Sequence, residues 1–550
     1  MNPSVEKEAP YLERYFSVFV SGREDIRVLE NSNAALILST GHIVKIKRDL
    51  LSSLSGSEIK HLLNELAGYF SLFIWNKNHK RAMIASDKLG LNPLYYTVTP
   101  DNALIFSTAL ENFLALPDFP ISLDKTALRQ FADFNYLLGE RTFIKNVFRF
   151  RPGTLMVWDE KELRKENYWD AAEFFSGTML TEKEFFNKFP VVMREVIGEW
   201  VEGKKRVGIL LSGGYDSRAI LACLYDLGVQ GYAYTWDNPA IEETDIVRRL
   251  ARAAGFKLRF LPFYPQERDT ADLIAEVGRL TDFAFPFFHI GRYNAIKQIA
   301  DEVDIIFSGQ GELIRITPVP NDYISPVTLS HIYGKGDDHV QHFFNIDTTD
   351  KIFDDFPYQH FKPVEQLTCF LLYNAYRDDY GILNYGESQI IPVAMPYFDG
   401  RIIELLLKSP FSIARLNSWK RNFLFTLKSR KIYYHIVKQM APHLLDIPLD
   451  RGYPQKFDRS YLNSIFSNLG ILKIAVNPRR NRKETPPWMK YVYSLLSENR
   501  TLERDFYNRE KIKKSLKKFP CWSPVESYEL EKVARFELFY RHFLDRIGTR

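Results

Sequence analysis

Two adjoining glycines, flanked by serines and an aspartate, make up Ser212-Gly213-Gly214-Tyr215-Asp216-Ser217, set between an apolar run and an apolar helical stretch. That combination suits a phosphate. Gly213 and Gly214 let the main chain approach a bulky anion, a following helix offers N–H groups and the positive end of its dipole, and Ser212 and Ser217 add hydroxyl donors. Asp216 would repel phosphate directly, yet a carboxylate there suits a Mg2+ ion bridging to phosphate oxygens. The spacing is not G-x-x-x-x-G-K-[ST], because no lysine follows, nor G-x-G-x-x-G, because the glycines adjoin. A glycine turn with an N-cap serine is the plainer alternative.

In an open parallel sheet, ligands settle beyond the carboxyl ends of the strands. The surrounding sequence predicts such a sheet. KRVGILL reads as a strand, DSRAILACLYDLG as a helix closed by Gly228, GYAYTW as a strand, EETDIVRRLARAAG as a helix closed by Gly255, and KLRFLPF as a strand. DIIFSG, residues 304–309, adds another strand, and the alternation predicts a doubly wound parallel sheet. Residues 1 to about 170 read instead as mostly β, with YFSVFV, AALILS, YFSLFIW and LIFST separated by turn-type clusters. After about residue 360 the chain reads as largely helical, interrupted by PRRNRK at 478–483, a solvated loop or a phosphate-contacting patch.

Composition narrows the partners. The 550 residues carry a formal charge of +5, too weak to argue for nucleic acid. Cys223, Cys369 and Cys521 are far apart without C-x-x-C spacing, which argues against a disulfide framework and a zinc site. The stretch MNPSVEKEAPYLERYF has charges where a signal peptide needs an apolar run, and no 18-residue apolar run occurs. The expectation is a cytoplasmic protein with no membrane partner.

SGGYDS resembles the SGGxDS pyrophosphate loop of the ATP pyrophosphatases, which transfer AMP to a carbonyl oxygen and release pyrophosphate. Upstream, LAGYFSLFIWNKNHKRAMIASDKLGLNPLYY, residues 66–96, resembles the glutaminase-type domain of asparagine synthetase, with Asp87, Leu89, Gly90, Pro93, Leu94, Tyr95 and Tyr96 on its DxLGxxPLYY pattern. TFIKNVFRFRPGTLMVWDEKELRKENYWD, residues 142–170, is similar to the same family's linker. ETDIVRRLARAAG looks like its second helix, FSGQG its second ligand loop, and MPYFDGRIIELLLKSP its PFLD helix entry. The resemblance implies an α/β chain of three parts. Residues 1–175 would form a degenerate glutamine amidotransferase-like domain of the α+β, Ntn-hydrolase type. Residues 182–460 would form the ATP pyrophosphatase domain on its parallel sheet, and 461–550 a helical extension.

The resemblance further implies ATP and Mg2+ as cofactors. Leu211, Tyr234 and the Ser308–Gly309 backbone would surround the adenylate, with Ser212, Gly213, Gly214 and Ser217 on the pyrophosphate and Asp216 on the metal. Asparagine synthetases release ammonia from glutamine with an N-terminal cysteine, whereas this sequence reads Met-Asn-Pro. The glutamine-holding N-G-E-x-Y-N segment is also missing from NSNAALILSTGHIVKIK. A domain without glutaminase chemistry is expected, as in beta-lactam synthetases. The second loop, S-G-E-G-x-D-E in asparagine synthetases, reads SGQGELIR here. Gln310 takes the glutamate's place and cannot act as a base, because an amide does not titrate. Glu312 is either a shifted metal ligand or a solvated loop residue. The glutamate and arginine ahead of the PFLD segment give way to IIPVAMPYFD, so a base would come from Glu387 or the pair Asp378–Asp379. Lys456 or Arg451, within IPLDRGYPQKF, would neutralise charge on the acyl phosphate.

The leading expectation is an AMP-forming amide ligase joining a small-molecule or peptide carboxylate to an amine or ammonia. A nucleotide-binding regulatory homologue without turnover is the alternative. A tRNA-adenylating relative is a third, against which the first domain and the lack of a cysteine pair both argue. A homodimer is compatible with such a chain.

Overall fold

The computed structural model describes residues 17–18, 27–31, 35–45, 56–99, 103–114, 116, 119–159, 162–237, 244–311, 326–333, 343–346, 351–415, 423–450, 453–459 and 485–545. Glu312, Arg451 and the PRRNRK segment lie outside them.

The central strand, Val207–Leu210, sends Val207 and Ile209 into one apolar cluster and Leu210 toward another. Period-two burial on both faces requires helices above and below. The helices Glu182–Val201, Asp216–Asp226 and Thr244–Ala253 cover one face, and Ile290–Gln298 covers the other. Five parallel strands lie in the order Lys257–Pro262, Gly231–Asp237, Val207–Leu210, Ile305–Phe307, Val393–Ala394. The chain therefore builds outward from the centre, then returns to the opposite side. That reversal opens a crevice between Val207–Leu210 and Ile305–Phe307 at their carboxyl ends. Gly228 and Gly255, at φ +71° and +74°, end the first two crossover helices as the sequence predicts.

The N-terminal region packs a six-stranded antiparallel sheet against a four-stranded one, with Phe73, Trp75, Tyr96 and Phe106 in the shared core. The DxLG motif has a structural duty here. Asp87 is buried, and its carboxylate accepts N–H bonds from Phe70, Leu89, Leu91 and Asn92. That turn joins the two halves: neighbouring Lys88 donates to Glu404 at 3.0 Å, and Tyr69 Oη donates to the Met395 carbonyl at 2.6 Å, one residue past the last parallel strand.

The described residues of the C-terminal part are mostly helical. Its longest described helix, Pro524–Phe543, starts at a Ser523/Glu526 capping box and buries Phe536 and Phe539 against residues of both earlier regions. Leu371–Gly381 is a π-helical stretch, which no sequence signal announces. No described helix is long and apolar enough to cross a membrane.

Candidate active site

A cavity of about 280 Å³ fills the crevice. Its lining joins Leu211, Ser212, Asp216 and Ser217 of the first loop to Ser308, Gly309 and Gln310 of the second, with Tyr234 on the side wall. Of the residues singled out in the sequence, these eight come together.

The serine hydroxyls shape the loop from within. Ser212 N donates to Ser217 Oγ at 3.1 Å, the two hydroxyls lie 3.1 Å apart, and Gly214 N donates to Ser212 Oγ at 3.3 Å. These bonds staple the turn that presents main-chain amides. No side chain caps the Asp216–Asp226 helix, and Ser217 N has no acceptor among the described residues, so the first turn keeps donors for an anion.

Behind the loop lies a buried polar scaffold. Arg218, fully buried, donates to the carbonyls of Ile447 and Pro448 at 2.7 and 2.6 Å, and burial pushes its guanidinium down to about 10. Asp450 N donates to the Gly213 carbonyl, while Tyr215 Oη bonds Tyr453 Oη and the Asp458 carboxylate. Asp216 lines the cavity with Oδ1 accepting from Tyr433 Oη at 2.5 Å, and its own carbonyl accepts from Tyr397 Oη at 2.8 Å. The loop's carbonyls are thus held from behind.

The second loop is fitted by absence of side chains. A Cβ on Gly309 would sit 2.8 Å from Ser217 N and 3.1 Å from its Cα, so only glycine leaves that amide open. A Cβ on Gly311 would meet the Tyr397 ring at 2.4 Å. Gln310 Oε1 is buried without a partner among the described residues. Ser308 N is held by the Ala394 carbonyl, and its Oγ accepts from Arg292 at 3.2 Å.

Within the lining, Leu211 N donates to the Tyr234 carbonyl, and the Tyr234 ring packs into the core with its hydroxyl on Glu302, so both offer apolar wall. Other expected residues sit elsewhere or play other parts. Glu387 is fully buried and held by both oxygens to Arg292, which removes it as a free base. Asp378 pairs with Arg149 and Arg377, and Asp379 accepts from Tyr136; neither lines the cavity, although their neighbour Tyr380 does. Lys456 is half-exposed, paired with Asp446 at 2.7 Å, and outside the lining. Sequence reasoning missed Arg292, the one cation in that lining among the described residues. A single arginine inside the apolar run FPFFHIGRYNAI was the available signal.

Residues 50–169 match the family model of the glutamine amidotransferase domain, and residues 193–311 that of asparagine synthase. The chain is asparagine synthetase-like. It is 24% identical over 251 residues to asparagine synthetase (glutamine-hydrolyzing) 1 of Bacillus subtilis, across 45% of this chain and 39% of that protein. It is 27% identical over 172 residues to amidase chry2 of Gibberella zeae and 28% over 172 to amidase chyE of Penicillium rubens, each across 31% of this chain and 25% of the relative. The chain thus spans between 25% and 39% of the length of these curated relatives. The asparagine synthetase-like family comprises carbon–nitrogen ligases that use ATP.

Proposed function

We propose that this chain is an ATP-dependent amide ligase that works through an acyl-adenylate. The observation that carries the reading is the meeting of the two glycine loops at the sheet's switch point, where Gly309 leaves the Ser217 amide open. A substrate carboxylate oxygen attacks the α-phosphorus, the Pα–O–Pβ bond breaks, and pyrophosphate leaves along the first loop. An amine nitrogen then attacks the acyl carbon, the bond to AMP breaks, and the amine's proton passes to water. Gln310 Oε1 accepts an N–H of the amine and takes no proton. Rate enhancement comes from positioning and from donors aimed at developing charge.

Asp216 is the one carboxylate in the described lining, which fits Mg2+, an ion that keeps several waters and takes one or two carboxylates plus phosphates. When bound, the metal would neutralise phosphate charge. In this reading the domains run 1–175, 182–460 and 461–550, and the setting is the cytoplasm. In this reading the first domain runs no glutaminase chemistry, a reading supported by the lack of any cysteine among residues 1–222 and by burial, which pushes the Cys223 and Cys369 thiols well up.

Incubation with ATP, Mg2+ and pools of carboxylates and amines tests the reading. AMP and pyrophosphate as products support it. ADP and phosphate, or amide turnover independent of ATP, contradict it. Firm ATP binding without AMP formation would favour the regulatory alternative, toward which the glutamine at position 310 leans.

A further inference from the structure

Nothing in the loop motifs demands the cation that lines the cavity. Arg292 stands in the first turn of the helix Ile290–Gln298, which feeds the strand Ile305–Phe307. Gly291 fixes the helix start: a Cβ there would lie 2.1 Å from the Phe263 carbonyl oxygen, just past the end of the strand Lys257–Pro262. The arginine therefore sits at the carboxyl edge of the sheet, where ligands bind.

Its guanidinium plane is fixed. Nε and Nη2 donate to the two oxygens of Glu387 at 2.5 and 2.7 Å, and Nη2 also reaches Ser308 Oγ at 3.2 Å. Glu387 is fully buried behind the arginine, which keeps 13% of its side chain exposed. Nη1 has no hydrogen bond among the described residues. The ion pair thus shows its positive end to the cavity and hides its negative one. Burial and Arg292 push the imidazole of His289, just before the helix, down to about 3.

We propose that Arg292, oriented by Glu387, binds the α-phosphate of the nucleotide. This rests on the reading of the cavity as a nucleotide site. In this assignment the outer phosphates belong to the first loop, and the nucleoside to Thr235, Trp236 and Leu261, which line the same cavity from the two strands outward of the central one. Ser308, which Arg292 holds, directly precedes Gly309, the residue that exposes the Ser217 amide. The guanidinium consequently faces the junction of the two loops, where the phosphorus under attack lies. A triphosphate carries roughly four negative charges, and a helix end supplies about half of one positive charge. A planar, always-charged donor fixed in advance is suited to the remainder, and holds on as charge grows at phosphorus. Glu387 is a positioning residue, because it touches the arginine and not the ligand.

Calorimetric titration of the full chain with AMP and with pyrophosphate tests the assignment without knowledge of the acyl substrate. R292Q alone strands a buried carboxylate, so the deciding variant is R292Q/E387Q, which removes both charges, with melting temperature as the check on folding. The double variant is expected to bind AMP about 10- to 100-fold more weakly, with pyrophosphate affinity unchanged. E387Q, which keeps the cation but loosens it, gives a smaller AMP loss of about 3- to 10-fold, and R292K recovers only part of the wild-type affinity. Unchanged AMP affinity in the double variant overturns the assignment. An equal fall for both ligands also overturns it, because the pair would then merely prop up the site. A wild-type chain that binds neither AMP nor pyrophosphate overturns the nucleotide reading itself.

Discussion

The two ligand loops reach the same cavity by opposite means. SGGYDS is held by polar side chains from behind: Arg218 grips two carbonyls and Tyr215 joins Tyr453 and Asp458. SGQG is held by what its glycines lack, with Gly309 against the Ser217 backbone and Gly311 against Tyr397. The difference teaches that a motif's polar letters also build the loop that carries them. In the first loop they rigidify a run of amides, and in the second the open space itself is the feature.

If that contrast holds, the most damaging change to the first loop is one remote from any ligand. Arg218→Met leaves the Ile447 and Pro448 carbonyls without their donor, and stability should fall by about 3–5 kcal/mol, read by denaturant unfolding. A loss below 1 kcal/mol would deny the scaffold its role. For the second loop, Gly309→Ala forces a Cβ onto backbone that cannot yield, costing about 1–3 kcal/mol. Its ATP affinity should drop roughly 10- to 100-fold by calorimetry, with the circular dichroism spectrum retained. Tyr433→Phe removes the hydroxyl on Asp216 Oδ1, worth about 1.5 kcal/mol. The Mg2+ concentration needed for half-maximal ATP binding should rise, and a change confined to melting temperature would sever Asp216 from the metal. Lys456→Ala breaks only a half-exposed pair and should move stability by less than about 0.5 kcal/mol. Loss of ATP turnover in that variant would restore Lys456 as the neutralising cation.

The same contrast explains what could be read in advance. Four of the five parallel strands were legible because they are short apolar runs, the first two followed by glycine-ended helices, all local signals; the two-residue edge strand Val393–Ala394 is too short to carry such a signal. SGGYDS was legible for the same reason. Its use of hydroxyls was not, since nothing in the letters says whether Ser212 faces ligand or Ser217. The partners Arg292–Glu387 and Asp216–Tyr433 lie 95 and 217 residues apart, and single-sequence spacing carries no information about such pairs. Glu387 looked like a free acid on the approach to the MPYFD segment; burial made it an anchor. Asp399 in that segment caps the helix Gly400–Leu407, accepting from Arg401 N, so this part of the pattern is a helix start.

The most direct test is a crystal structure with the non-hydrolysable α,β-methylene analogue of ATP and Mg2+. Phosphate density should lie on the amides that open the Asp216–Asp226 helix, with the α-phosphorus between Ser217 and Ser308. A nucleotide bound outside the crevice, or phosphates that turn away from Gly309, would contradict the account.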